Sequence, residues 1–425
     1  MRIVWMEAGK GLRSPIIIGL FMLFTAFNLF LMLSERHMKD ELRVLNTIVA
    51  QTGHDMNGEG YEALGEYYTN ELAKMNSITQ EKIGQTYESA AAFTSSNPQL
   101  LDPDRPFTEP EVRFVQDLLV TERYYESLPA IRSQYDSLDM RTRAEVALSI
   151  MIDPTSDRVD KLVYANYNKL QDRLEVLREK GEHLHLFFQG TVYKMHSFLY
   201  DKLLGIMLLQ AMVMGVLMTA QIMNHEFDHR THLLMYATRR GRRLKVDKLG
   251  AAFLTTTLMT IMLLSVNIVA FFEMYDYSGL WDVPIGTGFL QEYDDAPLIP
   301  WWSMTFVQYL FAVLALGLVL QWIFAGLTAG IALFVRNSYF VCLLFLLLLG
   351  IGLTLFTVVP TTSLLIFWAY INPFQVLFST PNWFMIKHVF TTYPSYEWMT
   401  VSLWSAVLAA GLWVAYRRFK RRDLV

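Results

Sequence analysis

Only one cysteine, Cys342, occurs in the chain, and it lies inside an apolar run. A disulfide framework within the chain is therefore excluded, and so in practice is a metal centre built on several thiolates. Ionisable side chains are also missing where they would matter most. Six long stretches carry no Asp, Glu, Lys, Arg or His: Pro15–Leu33, Leu203–Met223, Ala251–Phe272, Phe306–Val335, Tyr339–Val359 and Met399–Tyr416. Ion-coupled transporters and proton pumps bind their driving ion on such groups within the membrane, so ion coupling lacks its chemistry here. A nucleotide loop is missing too, because Gly9-Lys10-Gly11 does not have the spacing that cradles a triphosphate. A pump built on this chain takes its energy from another polypeptide.

What is present is apolar length. Of 425 residues, 53% are hydrophobic and 18% charged, and the apolar ones gather into the six runs. Each meets or approaches the roughly 20 residues that cross a hydrocarbon core. The shortest, Met399–Tyr416, has Trp398, Trp404, Trp413 and Tyr416 as interfacial aromatics. The first run is long for a signal peptide and lacks a small-residue cleavage site after it, so it reads as a retained span.

Orientation follows from the short connections. Arg2, Lys10 and Arg13 precede the first run. Arg230, Arg239, Arg240, Arg242, Arg243, Lys245 and Lys248 follow the second, Arg336 follows the fourth, and the tail holds Arg417, Arg418, Lys420, Arg421 and Arg422. The opposite connections are acidic or nearly free of Lys and Arg: Asp276, Asp282, Glu292, Asp294 and Asp295 lie in one, and Lys387 is the sole basic residue of the other. Positive-inside logic puts both termini in the cytoplasm. The expected molecule is an all-α integral membrane protein of the cell membrane, with six transmembrane helices and a large helical extracytoplasmic domain between the first two. Its parts are a cytoplasmic interfacial helix (1–14), the first span (15–33) and the extracytoplasmic domain with its stalk (34–202). A five-span membrane domain (203–416) containing a cytoplasmic loop (224–250) and a basic tail (417–425) complete it.

The 34–202 segment reads as helical and shows no phosphate loop, repeat or low-complexity tract. Leu42, Leu45, Ile48 and Val49 continue the first span as an amphipathic helix. Val163, Tyr167, Leu170, Leu174, Leu177 and Leu184 form a short heptad seam. Pairing the two as a stalk beneath a helical head over residues 59–152 is the simplest arrangement, with Pro98, Pro103, Pro106, Pro110 and Asp153-Pro154 as breaks. After Pro360, the run Thr361–Tyr370 is too short to cross and reads as a re-entrant or interfacial hairpin ended by Asn372-Pro373. Neutral polar residues dot the spans: Asn28, Thr219, Gln221, Asn267, Gln308, Gln321 and Thr328, with Gln210 and Thr255. Each is explained most simply as an interhelical hydrogen bond. Collectively the first seven are the candidates for lining a pathway.

After the second run the chain reads Asn224-His225-Glu226-Phe227-Asp228-His229-Arg230-Thr231-His232-Leu233-Leu234-Met235-Tyr236-Ala237-Thr238-Arg239-Arg240-Gly241-Arg242. Here it resembles the permease subunits of type-2 ABC exporters. In that family a Glu, a Gly-Thr, a Leu-Leu pair, a small-Thr-Pro turn and a Lys opening the third span follow one another. Glu226, Thr231, Leu233, Leu234, Ala237, Thr238, Arg240 and Lys248 match, while Arg230 and Arg239 stand where Gly and Pro are usual. The six spans, the outer segment after the first, the broken segment at Asn372-Pro373 and the basic tail fit as well. The resemblance implies a coupling helix near Glu226–Arg242 seated in a cytosolic ABC ATPase. That partner carries ATP and Mg, this chain carries no cofactor, and a second permease, identical or related, completes the assembly. The expected coupling residues are Glu226, Arg230, Thr231, Leu233, Leu234, Tyr236, Ala237, Arg239, Arg240 and Arg242. An amphipathic or hydrophobic cargo (lipid, peptide antibiotic or drug) suits spans of low ionic content. Membrane lipid is a partner, and nucleic acid is not.

Two other readings compete. His225-Glu226-Phe227-Asp228-His229 matches H-E-x-x-H, and His232 follows, which is the signature of a zinc metalloprotease helix. Three ligands on one exposed basic helix lie open to water, however, and Arg230 and Arg239 oppose a cation. A non-transporting membrane sensor is permitted by the outer helical domain, yet its cytoplasmic parts are only short loops and tails.

Overall fold

The structure is a computed structural model that describes residues 2–97, 106–189, 197–231, 244–292, 296–386 and 388–421. It is almost wholly helical. The named strands among the described residues are a two-residue ribbon, β1 Gln291–Glu292 against β2 Ala296–Pro297. Among the described residues six helices are long and apolar enough to cross a membrane: Pro15–Ser34, Phe198–Asp228, Leu244–Met274, Phe306–Ala332, Ser338–Val358 and Tyr396–Arg418. We call them spans one to six, and they make a multi-pass membrane protein. Each overlaps one apolar run of the sequence, and spans two and three extend well past their runs into charged residues.

Helix α1 (Arg2–Leu12) is amphipathic, and α2 (Pro15–Ser34, span one) starts with Pro15 in its first turn, where the missing N–H costs nothing. Span two enters through a π-helical stretch, Ser197–Gly205, and continues as α9 (Ile206–Asp228). Span three is α10 (Leu244–Met274), span four α11 (Phe306–Ala332), span five α12 (Ser338–Val358), and span six belongs to α15 (Tyr396–Arg421). Burial ranks them. In span two 72% of the apolar window is buried, against 17% in spans one, five and six. Thus α9 is the central helix, packed on α10, α11 and α12, and the apolar faces of the peripheral spans are left to lipid or to another chain. Two small helices, α13 (Leu365–Tyr370) and α14 (Pro373–Leu377), lie after span five. Asn372 accepts from the backbone N–H groups of Phe374 and Gln375 and donates to Gly352 O at 2.8 Å, pinning the break against span five. Phe374 comes so close that a Cβ on Gly352 would stand 2.4 Å from its ring.

Between spans one and two run α3 (Met38–Thr52), α4 (Glu59–Ile83), α5 (Ala90–Ser96), α6 (Glu109–Ser137), α7 (Met140–Ser149) and α8 (Asp157–Glu179). Pro110 opens α6 beside the Thr108–Glu111 capping box rather than breaking a helix. Pro98 and Pro103 lie outside the described residues. Leu42, Leu45 and Ile48 of α3 are buried, as are Val163, Tyr167, Leu170, Leu174 and Leu177 of α8. The two helices do not form the expected stalk. α3 packs chiefly on α4 and α6, and α8 on α7. Gly181, at φ 65°, ends α8's run, so Leu184 falls on a 3₁₀ turn, off the helical seam.

The same turn fastens this segment to the connection between spans three and four. Buried Arg173 pairs with Glu182 (Nη2–Oε2 2.6 Å) and donates to Pro300 O at 3.0 Å, and Ser303 donates to Glu182 at 2.6 Å. One apolar core runs without interruption from Leu45 and Leu170 through Phe187 and Phe306 to Leu316 and Phe324 in the spans. A smaller one, around Phe93, Phe107 and Val115, holds the far end.

Candidate functional site

The polar chemistry of the span bundle gathers where α1, the end of α9 and the start of α10 meet. α9 continues past the apolar run by the turn that holds Asn224, Glu226 and Asp228, and α10 starts seven residues before its run, at Leu244. Four charged groups meet there in a ring. Lys248, fully buried, donates to the Glu226 carboxylate and lies 3.6 Å from Glu7 Oε2. Lys10 closes the ring, 2.7 Å from Glu7 Oε1 and 3.7 Å from Glu226 Oε1. Among the described residues Glu7 Oε2 has no hydrogen-bond partner, and it lies in an ion pair with Lys248.

Two lysines also reach the backbone of α9. Lys248 donates to Ile222 O and buried Lys245 to Met223 O, both at 2.6 Å. These carbonyls lie near the negative end of the helix dipole, where cations are favoured. Two carboxylates against two ammonium groups leave the ring neutral, which is how three buried charges, with exposed Lys10 at their edge, are tolerated. Removing one partner from such a pair costs about 3–5 kcal/mol. α1 fits tightly because Gly11 carries no side chain: a Cβ there would lie 2.9 Å from Ile222 Cδ1. Span five joins through Asn224, which donates to Val335 O at 2.9 Å, and Ser338, which donates to Asp228.

α9 ends in a Schellman turn. Thr231 N donates to Glu226 O at 2.8 Å and Arg230 N to Phe227 O at 3.1 Å, with Arg230 at φ 58°. Arg230 thus occupies the left-handed position that favours glycine. Beside this turn lies a cleft of about 940 Å³ whose walls include Lys10, Arg13, Gln221, His225, His229 and Arg336.

The expected site residues distribute as follows. Glu226 is in the charged ring, and Arg230 and Thr231 form the turn. Leu233, Leu234, Tyr236, Ala237, Arg239, Arg240 and Arg242, with His232, lie outside the described residues. Of the candidate pathway residues, Asn28 exchanges hydrogen bonds of 2.9 and 3.0 Å with Gln210, clamping α2 to α9. Gln321 donates to Leu208 O at 3.0 Å, joining α11 to α9. Asn267 and Thr328 bond back to Leu263 O and Phe324 O of their own helices, and Thr219 is buried with no partner for its hydroxyl among the described residues. Gln308 has a different task, closing the capping box of α11 with Thr305. Gln221 is the one of the seven that borders the cleft. Glu7, Lys10 and Lys245 escaped sequence reasoning as site residues. The usable signal was one acid in a basic amphipathic helix and two lysines three apart at a helix start.

Of the zinc motif, His225, Glu226 and His229 lie among the described residues. The His225 and His229 rings are neighbours, 4.3 Å between centroids. Glu226, which would activate water, is bound to Lys248 instead. Among the described residues no group of three or more potential ligands stands together. Compared with protein-family models, with curated proteins and with solved structures, the chain matches none.

Proposed function

We propose that this chain is the membrane permease subunit of an ATP-binding cassette exporter. In this reading it moves an amphipathic or hydrophobic substrate with energy supplied by a separate cytosolic ATPase. The observation that carries the reading is the Glu7–Lys10–Glu226–Lys248 ring. It welds the interfacial helix, the end of span two and the start of span three at the base of the 224–250 loop. A push delivered to that loop moves three helices as one body, because displacing any one of them separately would break buried ion pairs. Ligand-driven closure of a partner ATPase can shift a two-state permease only through such a differential contact. The ring lies at the helix ends and not midway along the spans, so it serves transmission and leaves ion coupling without a site.

On this reading both termini and the loop face the cytoplasm, the 34–202 segment lies outside the cell membrane, and a second permease completes the pathway. ATP and Mg belong to the ATPase. Leu234 and Tyr236 are the apolar anchors of the docking contact, with Arg239, Arg240 and Arg242 at its rim, where charge tunes association more than affinity. The test is copurification from native membranes. The intact chain should bring down an ABC-type ATPase in stoichiometric amount, and the Leu234→Ala/Tyr236→Ala variant should lose it while keeping its unfolding midpoint. An intact chain that brings down no ATPase, with a double variant fully functional in cells, overturns the assignment.

A further inference from the structure

Large apolar side chains are exposed at few places in the segment between spans one and two. Among the described residues the exposed ones are Val146 (54%), Ile150 (75%), Ile152 (100%), Leu162 (41%) and Val176 (40%). The three most exposed fall within seven residues, at the end of α7 and in the turn that leads to Asp153-Pro154. An isoleucine wholly in water at a loop tip is unfavourable, and a cluster of them marks an interaction surface.

The position of this tip identifies its partner. Thr361 Oγ1 donates to Pro154 O at 2.8 Å, and Ser156 Oγ donates to Thr362 O at 2.7 Å. Span five ends at Val358, itself 74% exposed. Thr361 is three residues further on, within about 10 Å of the span's end by chain length. The headgroup layer on each side of a bilayer is roughly 5–8 Å deep. The two hydrogen bonds therefore hold the tip close to the end of span five. The same rim carries exposed Leu364, Leu365 and Trp368 from the turn and helix after span five. Asp153, Asp157, Arg158 and Lys161 flank the tip with both signs of charge, as suits a zwitterionic surface more than a strongly charged one.

We propose that Val146, Ile150 and Ile152, together with Leu364, Leu365 and Trp368, form a membrane-dipping edge that enters the lipid interface on the side where the 34–202 segment lies. The segment is thereby laid against the bilayer, held by span one, span two and this third, non-covalent anchor. The inference rests on the six helices crossing a membrane and is independent of the exporter reading.

The experiment uses the full chain with Cys342→Ser and one introduced cysteine, Ile152→Cys, carrying an environment-sensitive NBD label. It is reconstituted in phosphatidylcholine vesicles. Lys74→Cys on α4, 65% exposed and outside the edge, is the reference. The Ile152 label should emit at shorter wavelength than the reference. It should be quenched several-fold more by a lipid spin label near the headgroup than by one at the acyl terminus, and be shielded from aqueous iodide. The reference should emit at longer wavelength, be quenched freely by iodide and be quenched by neither lipid spin label. Equal iodide quenching at the two positions with no lipid quenching overturns the proposal. Iodide protection that depends on protein density, again without lipid quenching, also overturns it and assigns the edge to a second copy of the chain.

Discussion

At the scale of single residues, the charged ring makes the sharpest demands. Lys248 is fully buried between two carboxylates, so Lys248→Met leaves Glu226 and Glu7 facing each other without the buried ammonium that bridges them. A loss of about 3–5 kcal/mol is expected from unfolding in detergent. Adding Glu226→Gln should return part of it, with a coupling energy between the two sites of about 1–3 kcal/mol, and simple additivity would remove the ring from the account. A second residue-scale prediction concerns acid. His183 is buried, stacked on Tyr135 with 4.9 Å between ring centroids, and its Nδ1 has no partner among the described residues. Burial holds its pKa down, from the ordinary 6.5 to about 4, and lowers that of His185 as well. The unfolded chain binds the proton first, so stability is complete above pH 6.5 and is lost as pH falls toward 4. The unfolding midpoint of the full chain should drop across that window, and His183→Phe should flatten the drop. Glu226 and Lys248 were legible because they sit in a motif resembling one of known spacing. Glu7 was not, because its buried partner Lys248 lies more than 200 residues away and its pair with Lys10 has the ordinary spacing of a solvated helix face.

At the scale of elements, the apolar runs located the spans because each lacks any residue that lipid rejects. Their ends were less legible. Spans two and three keep their hydrogen-bonded ladders through Glu226, Lys245 and Lys248, since Glu226 and Lys248 pair with each other and Lys245 donates to Met223 O. Gln308 illustrates the same limit: it sits in an apolar run, yet its amide closes a cap with Thr305, and only the helix boundary reveals that. The stalk failed for a related reason. A buried seam on α8 states that something covers it without stating what, and the cover proved to be α7 and the core shared with the spans. The end of α9 gives this scale its prediction. Arg230 holds a left-handed φ of 58° that a Cβ opposes. Arg230→Gly should stabilise the helix end by about 1 kcal/mol, slow hydrogen exchange at the Thr231 amide and raise the unfolding midpoint. Arg230→Ala, which removes the charge and keeps the Cβ, should do neither. A gain from both substitutions would mean that the charge, and not the backbone, is what strains this turn.

At the scale of the whole molecule, one continuous core joins the long helical segment to the spans, and the charged ring lies at the ends of α9 and α10 away from it. The account rests on the two features facing opposite sides of the membrane: the ring and loop inward toward an ATPase, the helical segment outward. In a chain with Cys342→Ser, single cysteines at Lys74 and Arg242 test this in intact cells with a membrane-impermeant thiol reagent. Lys74→Cys should label at once, and Arg242→Cys only after the membrane is permeabilised. Labelling of Arg242→Cys in intact cells, with Lys74→Cys protected, would put the loop beyond the reach of any cytosolic ATPase and contradict the account.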